Sequence, residues 1–423
     1  MSIPRIIPRS EHCISRDNID ENALKVLYRL HKAGYRALLV GGGVRDLLLN
    51  KTPKDFDVAT DAKPEEVKKL FSNCRLIGRR FRLAHVFFGR EIIEVATFRG
   101  DGSGDQQLDE SGRILRDNVY GSLEEDVWRR DFTVNALYYD IADFSVVDYA
   151  GAMEDIQQRV LRLIGDPELR YREDPVRMLR AVRFAAKLDF SIHPASEQPI
   201  FELGELLADI PPARLYEEVL KIFHSGQGQK AFSLMRHYGL LKYLFPQTGA
   251  YLNRGETWFE DFLSATLGNT DKRINQDKPV TPAFLFAAML WGPVLARAEQ
   301  MQQQEQAPLA LAMQHAMTEV LHSQVQSIAI PRRFSTVIRD IWSLQHRFKY
   351  RKGRRAGALL EHPKFRAAYD FMCLRAQVGQ LKDDSCEWWT QVQSLPPDEL
   401  EVQFKTRGPQ AEPSRPRKKR VWH

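Results

Sequence analysis

Apolar residues change their spacing near residue 165, and this change divides the sequence into two kinds of structure. Before that point, short apolar runs alternate with polar turns, as they do in strands and short helices. After it, apolar positions recur every three or four residues to about residue 395, which is the spacing of amphipathic helices. The pattern predicts an α+β fold, with a mixed head followed by all-helical modules.

Within the head, a few apolar runs define the predicted elements. Residues 36–43 (RALLVGGG) indicate a buried strand that enters a glycine turn, and residues 55–58 (DFDV) alternate like a strand. Residues 84–88 (AHVFF) and 91–98 (EIIEVATF) are separated by two residues, which predicts a hairpin. A helix is predicted at about 20–33, after an irregular arm.

One uncharged stretch, residues 279–296 (PVTPAFLFAAMLWGPVLA), approaches the length of a membrane-spanning helix. Its prolines and its glycine shorten the usable helix to roughly 9–12 residues, the length of a buried core helix. We therefore predict a core helix and no membrane span.

The formal net charge of +6 is concentrated at the C-terminal end. Residues 405–423 hold seven basic side chains and one acidic one, so this tail accounts for the whole excess. A basic tail on a balanced protein suggests a polyanionic partner, because phosphate contacts release counterions. Such a composition also predicts a disordered segment.

The four cysteines are scattered and form no CxxC pair. This spacing argues against a structural zinc site or a disulfide scaffold, and it fits a reducing cytoplasm. The N-terminal residues MSIPRIIPRS contain no apolar core, so we expect no secretory signal.

The first motif with chemical content is GGGVRD at residues 41–46, followed by Asp55 and Asp57. Aspartates at i and i+2 of a strand point to one face and repel each other, and a pair of Mg²⁺ ions would relieve that repulsion. The turn at Gly42 and Gly43 would let backbone N–H groups and a helix N-terminus approach a triphosphate. A lone DxD is usually an exposed acidic turn, but the glycine motif favours a two-metal nucleotidyl-transfer site.

The second motif is RRDFTVNA at residues 129–136. Its Asp131 follows two arginines, so it could hold phosphate-binding arginines in place or act as a third acidic group at the metal centre. Glu94, on the same predicted strand face as Ile92 and Ala96, is the competing candidate for a third carboxylate. The sequence leaves both alternatives open.

The third motif is EDPVRMLRAVR at residues 173–183. An ordinary amphipathic helix would place Glu173, Arg177 and Arg180 on one face and pair Glu173 with Arg177. An Asp174–Arg177 pair could also read a base edge, because adenine and cytosine each present an amino donor beside a ring-nitrogen acceptor. Such a pair would reject guanine and uracil but would not separate ATP from CTP. The opposite face carries apolar residues: Leu179, Val182 and Ala186.

Together the three motifs resemble the class II nucleotidyltransferase family, which contains poly(A) polymerases and CCA-adding tRNA nucleotidyltransferases. The resemblance is closest over residues 36–190. It implies a five-stranded head with helical neck, body and leg domains, and dependence on Mg²⁺, with Mn²⁺ as an alternative ion. The residues to which it assigns roles are Asp55 and Asp57 as metal-binding catalytic carboxylates, Asp131 as the third acidic residue, Gly42, Gly43, Arg45 and Arg130 near the triphosphate, and Asp174 and Arg177 at the base.

Within that family, residues 74–100, the segment IPPARLYEEVLKIF and the basic C-terminal end resemble the polyadenylating branch. That branch transfers AMP from ATP to RNA 3′ ends, releases pyrophosphate and promotes RNA decay. The CCA-adding branch, which also uses CTP and stops after three additions, is the alternative. The sequence contains no adjacent His-Asp pair, so the phosphohydrolase domain of some CCA-adding enzymes is absent.

Two other classes fit less well. The chain contains no Gly-Lys dipeptide and hence no Walker A motif, which excludes a P-loop ATPase. A non-catalytic RNA-binding protein would have little reason to retain the acidic residues Asp55, Asp57 and Asp131 in one cluster.

The predicted organisation is an arm (1–19), a head (20–165), a neck with the base-recognition motif (166–225), a helical body and leg region that binds RNA (226–395) and a disordered basic tail (396–423). The expected partners are RNA 3′ ends, ATP and RNA-decay proteins, and the expected state is a cytoplasmic monomer.

Overall fold

The computed structural model describes residues 3–78, 82–100, 107–108, 114–116 and 119–405. The chain divides into two compact units, Met1–Leu206 and Leu207–His423. The boundary falls inside the segment predicted as the neck, so this segment contributes helices to both units.

The strands of the described residues all lie in the first unit. They are β1 (Arg5–Ile7), β2 (Ala37–Val40), β3 (Asp57–Thr60), β4 (Cys74–Ile77), β5 (Leu83–Phe88), β6 (Glu91–Thr97), β7 (Gln107–Leu108), β8 (Ile114–Arg116), β9 (Leu137–Asp140), β10 (Val146–Asp148), β11 (Val160–Leu161) and β12 (Ser191–Ile192).

The main sheet has the strand order β1-β10-β9-β2-β3-β6-β5-β4. Its neighbours are antiparallel except β3 and β6, which are parallel and pair Asp57 with Glu94. Strands β5 and β6 form the predicted hairpin. Two short pairs, β11 with β12 and β7 with β8, stand apart from this sheet.

The α+β class is confirmed, but the predicted count of five strands is wrong, because this sheet has eight. Part of the difference comes from the N-terminal arm, which was predicted to be irregular. Its residues 5–7 form the edge strand β1, which pairs Arg5 with Asp148 of β10. Prolines on both sides of this short strand conceal it in the sequence, and an edge strand tolerates such flanks.

The helices of the first unit are α1 (Glu21–Lys32), α2 (Gly42–Leu48), α3 (Pro64–Leu70), α4 (Leu123–Arg129), α5 (Ala152–Gln158), α6 (Pro167–Glu173), α7 (Val176–Leu188) and α8 (Pro194–Leu203). Short 3-10 turns occupy Arg9–Glu11, Arg16–Asn18 and Thr133–Asn135, and a fourth, Gly204–Asp209, spans the boundary between the units.

The third motif does not form one continuous helix. Helix α6 ends at Glu173, Asp174 is extended, and α7 begins at Val176. Pro175 explains the break, because its ring disfavours helical backbone in the residue before it. The apolar face of α7 is buried as predicted, with Leu179, Val182 and Ala186 at most 2% exposed.

Packing of the sheet against α4 forms one part of the core of the first unit. Leu38 and Val40 of β2, Tyr138 of β9 and Val127 of α4 belong to one buried cluster. Helix α4 begins with the predicted capping box, because the Ser122 hydroxyl accepts from the Glu125 N–H and the Glu125 carboxylate accepts from the Ser122 N–H. This packing fixes the helix that leads into the second motif.

The second unit is helical throughout its described residues. Its helices are α9 (Pro212–Phe223), α10 (Gly228–His237), α11 (Leu241–Leu244), α12 (Pro246–Leu252), α13 (Thr257–Ile274), α14 (Pro282–Met289), α15 (Trp291–Glu305), α16 (Leu309–Ser327), α17 (Arg332–Gln345), α18 (Gly353–Leu360), α19 (Phe365–Gln377), α20 (Ser385–Gln393) and α21 (Pro397–Lys405).

The uncharged stretch 279–296 forms α14 and the start of α15. From Leu285 to Leu290 every side chain is at most 2% exposed, so the predicted core helix is confirmed. Across the described ranges, no helix combines the length and the apolar character needed to cross a membrane.

Two predictions for the C-terminal region are wrong. Cys373 of α19 and Cys386 of α20 form a disulfide, although their spacing resembles no known framework. The predicted disordered tail was drawn from residue 396, but α21 continues to Lys405. The acidic Asp398 and Glu399 in its first turn suit a helix start. The rest of the predicted tail, residues 406–423, lies outside the described residues.

Candidate active site

The glycine motif joins β2 to α2 and packs against the two other segments of the site. Gly41 has φ +74°, a backbone conformation that favours glycine. A Cβ atom on Gly43 would contact the carbonyl oxygen of Asp55 at 3.4 Å, and one on Gly41 would lie 3.7 Å from Arg130 Nη1. The turn therefore lies within contact distance of both Asp55 and Arg130.

Asp55 and Asp57 are both exposed beside this turn. Strand β3 begins at Asp57, so Asp55 lies just before the strand rather than on it. Glu94 is the register partner of Asp57 on β6. The structure thus brings Glu94 beside the aspartate pair, by a pairing of parallel strands that the sequence does not reveal.

Electrostatic strain is evident at Asp57. Its carboxylate reaches solvent, but the surrounding protein atoms and the negative charges of Glu94 and Asp55 raise its pKa to about 6, against the opposing effect of Arg130. A carboxyl group with this pKa gains from a nearby cation, because the cation stabilises its ionised form.

A row of polar side chains continues across the sheet from this point. His85 of β5 is the register partner of Glu94, and its Nε2 lies 3.4 Å from Glu94 Oε2. Arg75 of β4 is in turn the register partner of His85. Glu94 therefore has an acidic neighbour on one side and an imidazole on the other.

Asp55, Asp57 and Glu94 are the candidates to hold a divalent cation. Within the ranges described, no group of three or more His, Cys, Asp or Glu side chains is arranged to hold a metal ion by itself. Mg²⁺ ordinarily needs only one or two carboxylates, because substrate phosphates and water complete its shell. The all-oxygen donor set and the raised pKa of Asp57 fit such an ion.

Asp131 lies in a different environment from the other acids. Its Oδ2 accepts from Arg180 Nε at 2.7 Å, and its Oδ1 accepts from the N–H of Phe132 at 2.8 Å and from Asn135 Nδ2 at 3.2 Å. Burial alone would raise the pKa of Asp131, but Arg180 and these hydrogen bonds outweigh it and hold the pKa below its usual value. Asp131 is thus the ion-pair partner of an arginine of α7.

Arg45 is buried, with only 2% exposure. Its guanidinium donates to Asp46 at 2.7 and 2.9 Å and to the side-chain oxygen of Asn135. It also lies over the Phe184 ring, 5.4 Å from the centroid. These contacts commit Arg45 to the protein, so a direct contact with nucleotide stays a prediction that the burial disfavours.

Arg130 is more accessible than Arg45. Its side chain is 24% exposed and donates to Asp126 at 2.9 Å and to the Tyr138 hydroxyl at 2.7 Å. Asp126 and Tyr138 are buried, so they fix the guanidinium in place beside Gly41. This geometry suits a cation that must be pre-oriented before an anion arrives.

The base-recognition residues lie at the junction of α6 and α7. Arg177 Nη1 donates to Glu173 Oε2 at 3.0 Å and to the carbonyl oxygen of Arg170. Asp174 Oδ1 accepts from the Val176 N–H at 3.3 Å. Arg177 is therefore held by Glu173, as an amphipathic-helix interpretation also predicts, and Asp174 and Arg177 lie within one turn of each other.

Two residues of this region were not identified from the sequence. Arg170 Nη2 donates to the carbonyl oxygens of Arg129 and Arg130 at 2.9 and 2.8 Å, so it ties α6 to the end of α4. Phe184 lies edge-on to Phe132 at 5.8 Å and has three guanidinium groups within 5.5 Å of its ring: Arg45, Arg180 and Arg183. The contact of Phe184 with guanidinium groups left one sign in the sequence, which is the clustering of arginines around that residue. The role of Arg170 left none.

The three motifs are linked by one chain of polar contacts. It runs from Arg180 through Asp131 and Asn135 to Arg45 and Asp46. The structure thus brings together the residues predicted in all three motifs within the first unit.

Models of three protein families match the chain. The poly A polymerase head domain matches residues 37–162, the probable RNA and SrmB-binding site of polymerase A matches residues 189–252, and the polymerase A arginine-rich C-terminus matches residues 303–421.

Individual proteins match over most of the chain as well. The poly(A) polymerase I of Salmonella typhimurium (strain LT2) is 54% identical over 98% of this chain and 92% of its own length. The CCA-adding enzyme of Lactobacillus helveticus is 40% identical but matches 50% of this chain and 52% of its own length. Among solved structures, the Bacillus stearothermophilus CCA-adding enzyme in complex with CTP has a TM-score of 0.59 and 25% identity over 92% of this chain and 88% of that one.

The Asp131–Arg180 pair generates a prediction about stability. We expect Arg180→Met to lower the free energy of unfolding at pH 7 by about 2 kcal/mol. This value lies between those of exposed and buried ion pairs, because the Asp131 side chain is 12% exposed and that of Arg180 is 32% exposed. Denaturant unfolding measures this change. Arg172→Met is the control, since it breaks an exposed pair with Glu168 and should change the value by less than about 0.5 kcal/mol.

The same pair predicts a pH dependence. The pKa of Asp131 is lowered in the folded state, so its stabilising contribution is complete above the unfolded value of about 4 and is lost as the pH falls through the lower folded value. The difference between the parent protein and Arg180→Met should therefore decrease below about pH 4. A difference that stays constant down to pH 2 would show that Asp131 does not respond to Arg180.

Proposed function

Because the chain belongs to the poly(A) polymerase family, we propose that it adds AMP from ATP to RNA 3′ ends without a template and releases pyrophosphate. The chain is a nucleotidyltransferase with a mixed-sheet head and a mostly helical remainder. The observation that carries the proposal is the position of Asp57 beside Glu94 on parallel strands, next to the glycine turn.

Asp55 and Asp57 would hold Mg²⁺, or Mn²⁺ in its place, with Glu94 as the third carboxylate of the site. When bound, such an ion supplies a Lewis acid that activates a 3′-hydroxyl and neutralises a leaving pyrophosphate. The raised pKa of Asp57 supports this assignment, because burial and the neighbouring carboxyl groups of Glu94 and Asp55 disfavour its ionisation. Asp131, which is already paired with Arg180, would position the RRD segment.

The glycine turn and Arg130 would receive the triphosphate of ATP. Gly42 is partly exposed at the start of α2, Gly43 is buried against Asp55 and Phe56, and Arg130 is oriented beside Gly41 by Asp126. Arg45 would act indirectly, because its hydrogen bond to the Asn135 side chain holds that residue next to the turn. In this arrangement the Arg130 guanidinium is already oriented before ATP binds, which reduces the ordering needed in the transition state.

Asp174 and Arg177 would face the base, with the aspartate accepting from the amino group and the guanidinium donating to the ring nitrogen. Glu173 and the Arg170 carbonyl hold Arg177 in one orientation, which supports a fixed donor. Guanine and uracil would leave this pair unmatched, and that mismatch provides the selection against GTP and UTP.

CCA addition is the related alternative and is not favoured. The polyadenylating relative matches nearly the whole chain, whereas the CCA-adding relative from Lactobacillus helveticus matches about half of it. We further propose that the poly(A) tails mark RNA for decay, that decay proteins are partners, and that the enzyme acts in the cytoplasm as a monomer.

Primer extension tests the proposed function. A labelled RNA without tRNA structure is incubated with Mg²⁺ and each of the four NTPs in turn. We expect a long ladder with ATP alone, because adenylation has no fixed stop. Extension that requires CTP and ends after CCA on tRNA would overturn polyadenylation, and no extension on either RNA would overturn catalysis.

Substitution of Asp57 tests the metal-binding carboxylates. We expect Asp57→Ala to lower kcat by roughly 10³-fold or more while RNA affinity stays within about twofold, because the residue acts on the reacting groups. Single-turnover AMP transfer and RNA binding are measured on the same preparation. Near-normal transfer by the variant would contradict the assignment.

Glu94 and Asp131 are distinguished by a matched pair of amide variants. Glu94→Gln should lower kcat by more than about 100-fold and raise the Mg²⁺ concentration for half-maximal activity. This loss of kcat is larger than the usual one for a residue that only hydrogen-bonds to a metal ligand. Asp131→Asn should instead lower the thermal midpoint, because it weakens the pair with Arg180. The reverse pattern would make Asp131 the metal-site carboxylate.

A further inference from the structure

The second unit carries a dense cluster of positive charge where α17 is connected to α18. Residues 347–355 (RFKYRKGRR) contain six basic side chains, and residues 341–360 contain no acidic one. Among the described residues, five of the six have no ion pair, and only Arg351 is neutralised, by Asp384 at 2.5 Å. Four of the unpaired cations are exposed: Lys349, Lys352, Arg354 and Arg355.

The cluster is gathered around an aromatic ring. Lys349 Nζ and Arg355 Cζ each lie 5.1 Å from the centroid of Tyr350, whose side chain is 36% exposed. The two cations are therefore within reach of each other and repel. A flat ring flanked by cations suits a nucleobase beside its phosphates, since bases stack on aromatic side chains regardless of sequence.

The position of the cluster on α18 increases its positive potential. Lys352 is the residue before the helix, and Arg354 and Arg355 lie in its first turn. Cations at a helix N-terminus are unfavourable, because the peptide dipoles add positive potential there. Among the described residues, Lys352, Arg354 and Arg355 have no ion pair that compensates this arrangement, and a polyanion would do so.

The basic tail begins beside the same surface. At the end of the described chain, the Phe404 ring of α21 packs beside α18, where a Cβ atom on Gly357 would lie 4.0 Å from it. The ring centroids of Phe404 and Trp388 are 6.4 Å apart. The 18 residues that follow Lys405 include six basic side chains and one acidic one. The fixed cluster and the start of the tail are therefore close together on the second unit.

We propose that residues 347–355 form a structured binding surface for single-stranded RNA, in which the cations contact phosphates and Tyr350 stacks on a base. The identity of its ligand rests on the proposed function. A single strand fits better than a duplex, because only an unpaired base can cover the exposed ring.

Salt-dependent binding tests the surface. The variant carries glutamine at four positions (Lys349→Gln, Lys352→Gln, Arg354→Gln and Arg355→Gln) in the full chain, and anisotropy measures its affinity for a labelled 20-nucleotide poly(A). We expect about tenfold weaker binding near 0.1 M salt. The slope of log K against log salt should be shallower by up to about 3, since each phosphate contact on a single strand contributes about 0.7.

A control variant removes the same charge elsewhere on the second unit. It carries Lys272→Gln, Arg273→Gln, Lys278→Gln and Arg332→Gln, four exposed side chains without an ion pair in the described part of the chain. The control should keep the parent slope to within about 1. Equal losses in the two variants would show that only total charge matters, and that result would overturn the proposal.

Tyr350→Leu separates stacking from charge. We expect about fivefold or greater loss of affinity for the single strand and no loss for a duplex of the same length. Equal effects on both RNAs would contradict the stacking role. Circular dichroism and the thermal midpoint establish that each variant is folded.

The arms of the experiment separate this inference from the proposed function. If the parent protein binds RNA but extends no primer, the proposed function fails and the binding surface stands. If the parent extends RNA while the glutamine variant keeps its affinity and slope, the surface is refuted. The surface is also refuted if the glutamine variant loses binding to poly-glutamate but keeps the parent affinity for RNA. That result would identify an acidic protein as the ligand.

Discussion

The ion pair between Asp131 and Arg180 is the interaction on which the arrangement of the candidate site depends. It joins the segment after α4 to α7, across 49 residues of sequence. Asp131 also accepts from Asn135, whose oxygen accepts from Arg45 of the glycine motif. Loss of the pair would leave a buried carboxylate without its arginine partner. The contacts of Asn135 and Arg45 would then be destabilised as well. The network therefore couples the glycine motif to α7.

Arg170 and Phe184 reinforce this coupling by different physical means. Arg170 uses two hydrogen bonds to carbonyl groups at the end of α4, which are directional and fix the angle between the segments. Phe184 offers the face of a ring to guanidinium groups and an edge to Phe132, which holds the segments at contact distance. Directional bonds and packing together leave the junction of α6 and α7 one orientation.

Sequence patterns predicted which segments lie together better than they predicted the sheet. Each motif holds its residues in a short segment, so the sequence singled out Asp55 and Asp57, which lie beside the glycine turn, and Asp174 and Arg177, which lie at the junction of α6 and α7; their roles stay predictions. Strand β1 was missed because Arg5 pairs with Asp148 of β10, which lies 143 positions away in sequence, and no local pattern encodes such a partner. The proximity of Glu94 to Asp57 has the same origin, since strand register is a property of the folded sheet.

Arg45 shows a second limit of sequence reasoning. An arginine in a glycine motif predicts a phosphate contact, yet Arg45 is 2% exposed and bonded to Asp46 and Asn135. The residue type is compatible with both roles, and only burial separates them. The disulfide between Cys373 and Cys386 is similar, because a pair of cysteines 13 residues apart becomes meaningful only when α19 and α20 place them together.

The molecule leaves like charges together at two places, and the signs of these charges match the two substrates. In the first unit, Asp57 and Glu94 face each other and raise the pKa of Asp57 to about 6, which is a cost that a cation carried with a nucleotide would remove. In the second unit, Lys349 and Arg355 share one ring without a carboxylate, which is a cost that phosphates would remove. Arg130, by contrast, is paired with Asp126. A folded protein tolerates like charges at these two places because each proposed substrate would neutralise the charge that it meets.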